Sequence, residues 1–204
     1  MAKPNTPQPA ASQPPRIIGG SLGGRRLAHR PGGPTRPMKD RVRETLFDLL
    51  AQRVRGATAL DLFAGTGAIG FEAISRGAAR AIFAERHFPT ADMLRRSARE
   101  LGVADRCDVR PGDVLAWPKR WPELPTDAPW IAFVSPPWAM FAERTADLMA
   151  LVAAVIAAAP AGSTIVVESD TSFDPGVLPD AAAWESRAVA PAVLHLHGRL
   201  VFSG

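Results

Sequence analysis

Residues 57–70 read ATALDLFAGTGAIG, an apolar strand that runs without polar padding into a glycine-rich turn and then a helix. Leu60, Leu62 and Phe63 suit a central strand covered on both faces, as in a parallel sheet between helices. Asp61 is the odd residue, a carboxylate where a structural strand would prefer another aliphatic. Gly65 and Gly67 let the backbone turn sharply and approach a ligand. The helix from Ala68 offers its first amides and their partial positive charge.

Gly65, Gly67 and Gly70 also spell G-x-G-x-x-G, which fits dinucleotide dehydrogenases and other nucleoside-binding folds alike. Asp61 helps to discriminate. It would repel a pyrophosphate and attract a ligand carrying an ammonium group, such as the methionine part of S-adenosylmethionine. The plainer alternative is that Asp61 only hydrogen-bonds the turn amides of the loop.

Past this turn, strands and helices alternate as βαβ units do. Arg80 to Glu85 reads as a second strand ending in a carboxylate, where a nucleoside ribose would present its hydroxyls. Ala91 to Leu101 is a basic helix, and Arg106 to Arg110 a third strand followed by Gly112 and Asp113. Asp61, Glu85 and Asp113 thus stand at successive strand ends, which line the ligand crevice in open parallel sheets. Trp130 to Val134 is a fourth strand, Ala142 to Ala159 a buried crossover helix and Thr164 to Glu168 a fifth strand. Residues 184–190 and 193–202 form a terminal antiparallel pair. His195 and His197 share a face of that last strand, but further metal ligands are not evident. Trp117 to Pro125 is a proline-punctuated loop whose tryptophans either pack inward or stand out for stacking.

The chain of 204 residues, 47% of them apolar, has room for one substantial domain. Residues 1–15 are proline-rich and read as a disordered tail, 16–56 as a basic RNA-binding arm and helix, and 57–204 as the catalytic domain. Residues 16–44 carry eight Lys or Arg against Asp40 and Glu44, a net charge of +6, whereas 45–204 sum to −3. Such a segment is what a polyanion-binding arm looks like; a solvated basic tail is the alternative. Arg16 to Gly19 and Arg25 to Leu27 read as short strand pieces around a glycine-rich turn. Thr35, Arg36 and Pro37 read as a helix entry. Val42, Leu46, Leu49 or Leu50, and Val54 then recur at helical spacing, which leaves Arg36, Lys39 and Arg43 for a ligand. The single Cys107 excludes an intrachain disulfide, points to a reducing cytosol and reads as a packing residue. Leu148 to Ala159 is apolar but too short to span a bilayer, and the N-terminus lacks a signal core.

The fourth strand runs into Ser135-Pro136-Pro137-Trp138. Two prolines without amide hydrogens leave carbonyls free to accept from a substrate. An amino group held between Ser135 Oγ and the Pro136 carbonyl would have its lone pair directed away from both, and Trp138 could stack on the ring bearing it. A proline-terminated strand with Trp138 packed inward is the alternative.

Asp61-Leu62-Phe63-Ala64-Gly65-Thr66-Gly67 together with Ser135-Pro136-Pro137-Trp138 resembles the class I, S-adenosylmethionine-dependent amino-methyltransferases. Arg16-Ile17-Ile18-Gly19-Gly20 and residues 36–47, RPMKDRVRETLF, are similar to the RsmD-type enzymes that modify guanine N2 in small-subunit ribosomal RNA. The resemblance implies an α/β, Rossmann-like, mostly parallel seven-stranded sheet with helices on both faces. By it, Asp61 and the Gly65–Gly67 turn hold the methionine end of the cofactor, Glu85 the ribose and Asp113 the adenine amine, with Phe63 and Ala64 also binding the cofactor. Ser135, Pro136, Pro137 and Trp138 present the base, and Arg25, Arg26, Arg36, Arg41 and Arg43 meet RNA. The implied partner is ribosomal RNA or the assembling small ribosomal subunit, engaged by a monomer in the cytoplasm with no metal and no membrane. The family usually has Asp or Asn where Ser135 stands. A neutral hydroxyl there forfeits about 1 kcal/mol as charge develops on the amine, on the order of five-fold in rate. Alternatives are a catalytically weakened RNA-binding or ribosome-assembly factor, a methyltransferase for DNA adenine N6 or protein glutamine, and, as an outsider, a nicotinamide-dependent oxidoreductase.

Overall fold

The computed structural model of the chain describes residues 14–29 and 38–198. Its strands are β1 (Thr58–Asp61), β2 (Arg80–Glu85), β3 (Cys107–Pro111), β4 (Trp130–Val134), β5 (Thr164–Asp170), β6 (Trp184–Val189) and β7 (Ala192–His197). They form one sheet in the order β3-β2-β1-β4-β5-β7-β6, parallel except that β7 runs antiparallel to β5 and β6. This is the Rossmann-like, mostly parallel seven-stranded sheet that the resemblance implies. The chain order reverses between β1 and β4, which pair side by side with Leu60 opposite Ala132. A crevice opens at such a switch point, at the C-terminal ends of the strands.

Strand alternation builds a core on each face. Ala59, Phe83, Ile131, Phe133 and Val166 face α1 (Asp40–Leu50), α2 (Ala68–Ser75) and α3 (Phe88–Leu101). Leu60, Ile82, Ala132, Val134 and Val167 face α4 (Ala139–Glu143) and α5 (Thr145–Ala158). The single crossover helix expected over residues 142–159 is therefore α5, preceded by the short α4, with a break at Arg144. Helix α5 is buried along Leu148, Leu151, Val152 and Val155, and its alanines lie toward solvent. Helix α3 buries Leu94, Ala98 and Leu101, leaves Arg96 and Arg99 outside, and stops at Gly102. No helix among the described residues is long and apolar enough to cross a membrane.

The arm lies on the α1–α3 face. Its two strand pieces meet only as an isolated antiparallel bridge, Arg16 to Arg26, around a 3-10 turn at Gly20–Leu22. Ile17 and Leu27 are buried in the same core as Val42, Leu46, Phe47, Leu50 and Val54. At Gly20, with φ +77°, a Cβ would lie 2.1 Å from the Ser75 carbonyl oxygen, so only glycine allows this contact with α2. The expected tail over residues 1–13, the helix entry at residues 35–37 with Arg36, and the end of the last strand fall outside the described residues.

Candidate active site

The loop after β1 is held from two sides by acids. Asp61 Oδ2 accepts from Gly70 N at 3.0 Å, inside the first turn of α2. Glu85, at the tip of β2, accepts from Gly65 N at 2.8 Å through one oxygen and from His87 N at 2.7 Å through the other. Gly67, with φ +76°, begins α2, and a Cβ there would lie 2.5 Å from Leu94 Cδ2. The left-handed turn is what calls for glycine here, and its lack of a side chain also lets Leu94 of α3 pack close against the loop.

Asp61 is wholly buried, and neither it nor Glu85 has an ion pair among the described residues. Burial, and then the nearby charge of Glu85, push the Asp61 pKa up to about 7 against the hydrogen bond from Gly70. A cationic group arriving here would relieve two acids that the chain leaves uncompensated. Asp113 follows β3, is exposed, and accepts from Leu115 N at 3.0 Å. Phe63 is half-buried and Ala64 buried in the same loop. Phe88, three residues beyond Glu85, is 64% exposed, and its position at a helix start gives no sign of that in the sequence.

Ser135 and Trp138 are half-buried, Pro136 buried and Pro137 exposed. Trp138 packs against both apolar layers, so it is held in place while keeping some surface. The register of β4 and β5 pairs Val134 with Val167, which brings Ser135 opposite Glu168 one step further on. Ser135 Oγ donates a hydrogen bond to Glu168 Oε2. In the sequence Glu168 is legible only as the last residue of the strand read over Thr164 to Glu168; β5 in fact runs on to Asp170, and Glu168 lies one step past the pairing with β4.

The expectation that α1 displays Arg43 to a ligand does not hold. The Arg43 side chain is buried, donates to the Arg16 carbonyl at 2.6 Å and to Asp40 Oδ1 at 3.0 Å, and lies 3.8 Å from Glu72. Glu72, on α2, accepts from Ile18 N at 2.7 Å and from Gly19 N and Arg76 Nε at 2.9 and 2.8 Å. Arg43 and Glu72 therefore fasten the arm to α1 and α2, and burial lowers the Arg43 pKa against the attraction of Asp40 and Glu72. Arg26 and Arg41 are exposed, and Arg25 is exposed with one nitrogen donating to the Glu100 carbonyl at 2.7 Å.

The remaining candidates are structural. Both ring nitrogens of His195 meet serine hydroxyls, Ser169 at 2.9 Å and Ser186 at 2.7 Å. Burial pushes the Cys107 thiol up to about 12, which keeps it protonated and unreactive. Trp117 and Trp121 make an edge-to-face pair and pack half-buried on the α5 side.

Residues 15–187 match the model of the family described as Conserved hypothetical protein 95. Among curated proteins, Ribosomal RNA small subunit methyltransferase D of Escherichia coli is 49% identical over 85 residues, 42% of this chain and 41% of that protein. The protein of the same name from Buchnera aphidicola of Acyrthosiphon pisum is 35% identical over 122 residues, 60% of this chain and 62% of its own. The chain thus spans less than two thirds of the length of these relatives. Among solved structures, Escherichia coli yhhF is 30% identical, with a TM-score of 0.74 over 92% of this chain and 98% of that one. An RNA methyltransferase of Salinibacter ruber, solved with S-adenosyl-L-homocysteine, shares the fold at 20% identity, with a TM-score of 0.56 over 80% of this chain and 93% of its own.

Proposed function

Because the chain belongs to the family described as Conserved hypothetical protein 95, we propose that it is an S-adenosylmethionine-dependent methyltransferase acting on the exocyclic N2 amine of a guanine in small-subunit ribosomal RNA. The observation that carries this reading is that the acid-braced loop after β1 and the Ser135-Pro136-Pro137-Trp138 turn after β4 follow neighbouring parallel strands. A donor on the first and an acceptor amine on the second therefore meet over one switch point.

The residues fit the cofactor. Uncompensated Asp61 and the Gly65–Gly67 turn would take its ammonium-bearing methionine end, with Phe63 and Ala64 alongside; Glu85 would take the ribose and Asp113 the adenine amine. When bound, it supplies a methyl group already activated on a sulfonium sulfur, to which the electron pair of the broken bond returns. The protein's own task is then positioning. Ser135 Oγ and the Pro136 carbonyl accept the two amine hydrogens, which aims the nitrogen lone pair at the methyl group, and the methylated nitrogen then releases one of those protons to solvent. Trp138 holds the base plane, and exposed Arg25, Arg26 and Arg41 engage phosphates on the arm face. The curated relatives named for small-subunit ribosomal RNA support the substrate class. A reducing cytosol suits the unpaired Cys107.

The test is incubation with labelled S-adenosylmethionine and small-subunit particles from cells lacking the modification, followed by mapping of the labelled nucleotide. Label on guanine N2 supports the reading. Cofactor binding without label supports an assembly factor instead, a reading favoured only by Ser135 standing where an amide or carboxylate is usual.

A further inference from the structure

Ser135 poses a chemical difficulty that its surroundings answer. A serine hydroxyl is both donor and acceptor, and its hydrogen rotates freely. Turned toward the substrate amine, that hydrogen would oppose the amine's own. An aspartate in the same place would never donate and would bring a full negative charge. Here the hydroxyl hydrogen is taken up by Glu168 Oε2, so both lone pairs of Oγ are left for the amine. Glu168 is 7% exposed and in contact with no cation among the described residues, so its charge is directed into Ser135 rather than neutralised by a neighbour. A hydroxyl bonded to a carboxylate is polarised and becomes a better acceptor.

We propose that Glu168 is the positioning residue of the acceptor site: it orients the Ser135 hydroxyl and lends it the charge that the side chain itself lacks. The assignment rests on the methyltransferase reading above. The pair forms because β4 and β5 are parallel neighbours in a register that continues from Val134 and Val167. Burial raises the Glu168 pKa and the hydrogen bond from Ser135 lowers it, so the carboxylate depends on the serine as the serine depends on it.

The experiment compares wild type, Glu168→Gln, Ser135→Asp and the double variant on small-subunit particles. It reads kcat, the particle KM and S-adenosylhomocysteine affinity by calorimetry. Glu168→Gln is expected to lower kcat roughly ten-fold, the charge loss of about five-fold compounded by a hydroxyl free to turn its hydrogen on the amine, with KM and cofactor affinity unchanged. Ser135→Asp, carrying its own charge, is expected to restore that background to within about three-fold of wild type. Should Glu168→Gln not fold, Glu168→Asp, one methylene short of Ser135, is expected to show the same kcat-only loss and the same rescue. An unchanged kcat, a loss that Ser135→Asp fails to restore, or a change confined to KM or cofactor affinity overturns the assignment. A wild type that binds S-adenosylhomocysteine but labels no RNA overturns the functional reading, and this assignment with it. Label in wild type with an indifferent Glu168→Gln overturns the assignment alone.

Discussion

Glu85 Oε2 accepts from Gly65 N at 2.8 Å, so the acid at the tip of β2 is a strut of the loop that follows β1. Its second oxygen accepts from His87 N, so the side chain spans two amides. A glutamine has one acceptor oxygen and one amino group, so Glu85→Gln leaves a donor facing a donor. The expected cost is about 1–3 kcal/mol of stability, read as a lower urea midpoint at constant slope. S-adenosylhomocysteine affinity should fall about ten-fold or more if Glu85 takes the ribose as proposed, because the substitution then disturbs the loop and the ribose contact together. Unchanged affinity would remove Glu85 from the cofactor site.

Asp61 makes a pH prediction whose sign follows from its burial. In the unfolded chain the carboxyl titrates near 3.8, and in the fold at about 7. Below the lower value it is neutral in both states. Between the two, the unfolded chain ionises while the fold keeps its proton, so stability falls with rising pH, by about 4 kcal/mol in all at about 1.4 per unit, and levels off above about pH 7. Asp61→Asn should flatten this slope while keeping an oxygen for Gly70 N. A bound ammonium favours the carboxylate, so S-adenosylhomocysteine should bind more tightly as pH rises through about 7 and release a proton, seen as a buffer-dependent heat. Proton-neutral binding across that range would place the ammonium elsewhere.

Arg43 and its exposed neighbours should separate cleanly. Arg43→Ala leaves Glu72 buried without one of its cations and the Arg16 carbonyl without its donor, a loss of about 3–5 kcal/mol by chemical denaturation. Arg26→Ala and Arg41→Ala should leave the denaturation midpoint in place and lower the slope of log K against log salt for RNA by roughly 0.7 to 0.9 for each phosphate that is no longer neutralised. If the two exposed arginines leave both affinity and slope unchanged, RNA does not meet this face.

The sequence displays what depends on local pattern and conceals what depends on register. The strand into Gly65, the acids Asp61, Glu85 and Asp113 and the Pro136-Pro137 turn are contiguous signals, each interpretable within about ten residues. Arg43 escapes an apolar stripe anchored on Val42; counted from Arg43, the buried positions Leu46, Phe47 and Leu50 fall at i+3, i+4 and i+7, which puts the arginine on the stripe itself. Glu72 looks like any helix glutamate, since its backbone partners Ile18 and Gly19 lie 54 and 53 residues earlier. Glu168 meets Ser135 across 33 residues through strand pairing, a neighbour relation that composition and spacing do not carry.

Trp138 gives the most direct test of how the base is held. The indole is half-buried between the two apolar layers, so truncation removes packing as well as any stacking surface, and alanine alone would confound the two. Trp138→Leu fills much of the volume without a π face, while Trp138→Phe keeps a flat ring. Stacking on a base is worth about 1–3 kcal/mol, so the leucine variant should lose roughly 5- to 150-fold in kcat/KM while the phenylalanine variant stays near wild type. Thermal midpoints measured in parallel report the packing share, and S-adenosylhomocysteine affinity should stay constant if the cofactor sits over β1 and β2 as proposed. If leucine turns over as well as phenylalanine, the indole is a wedge of the core and the base is oriented by the Pro136 carbonyl and Ser135 alone.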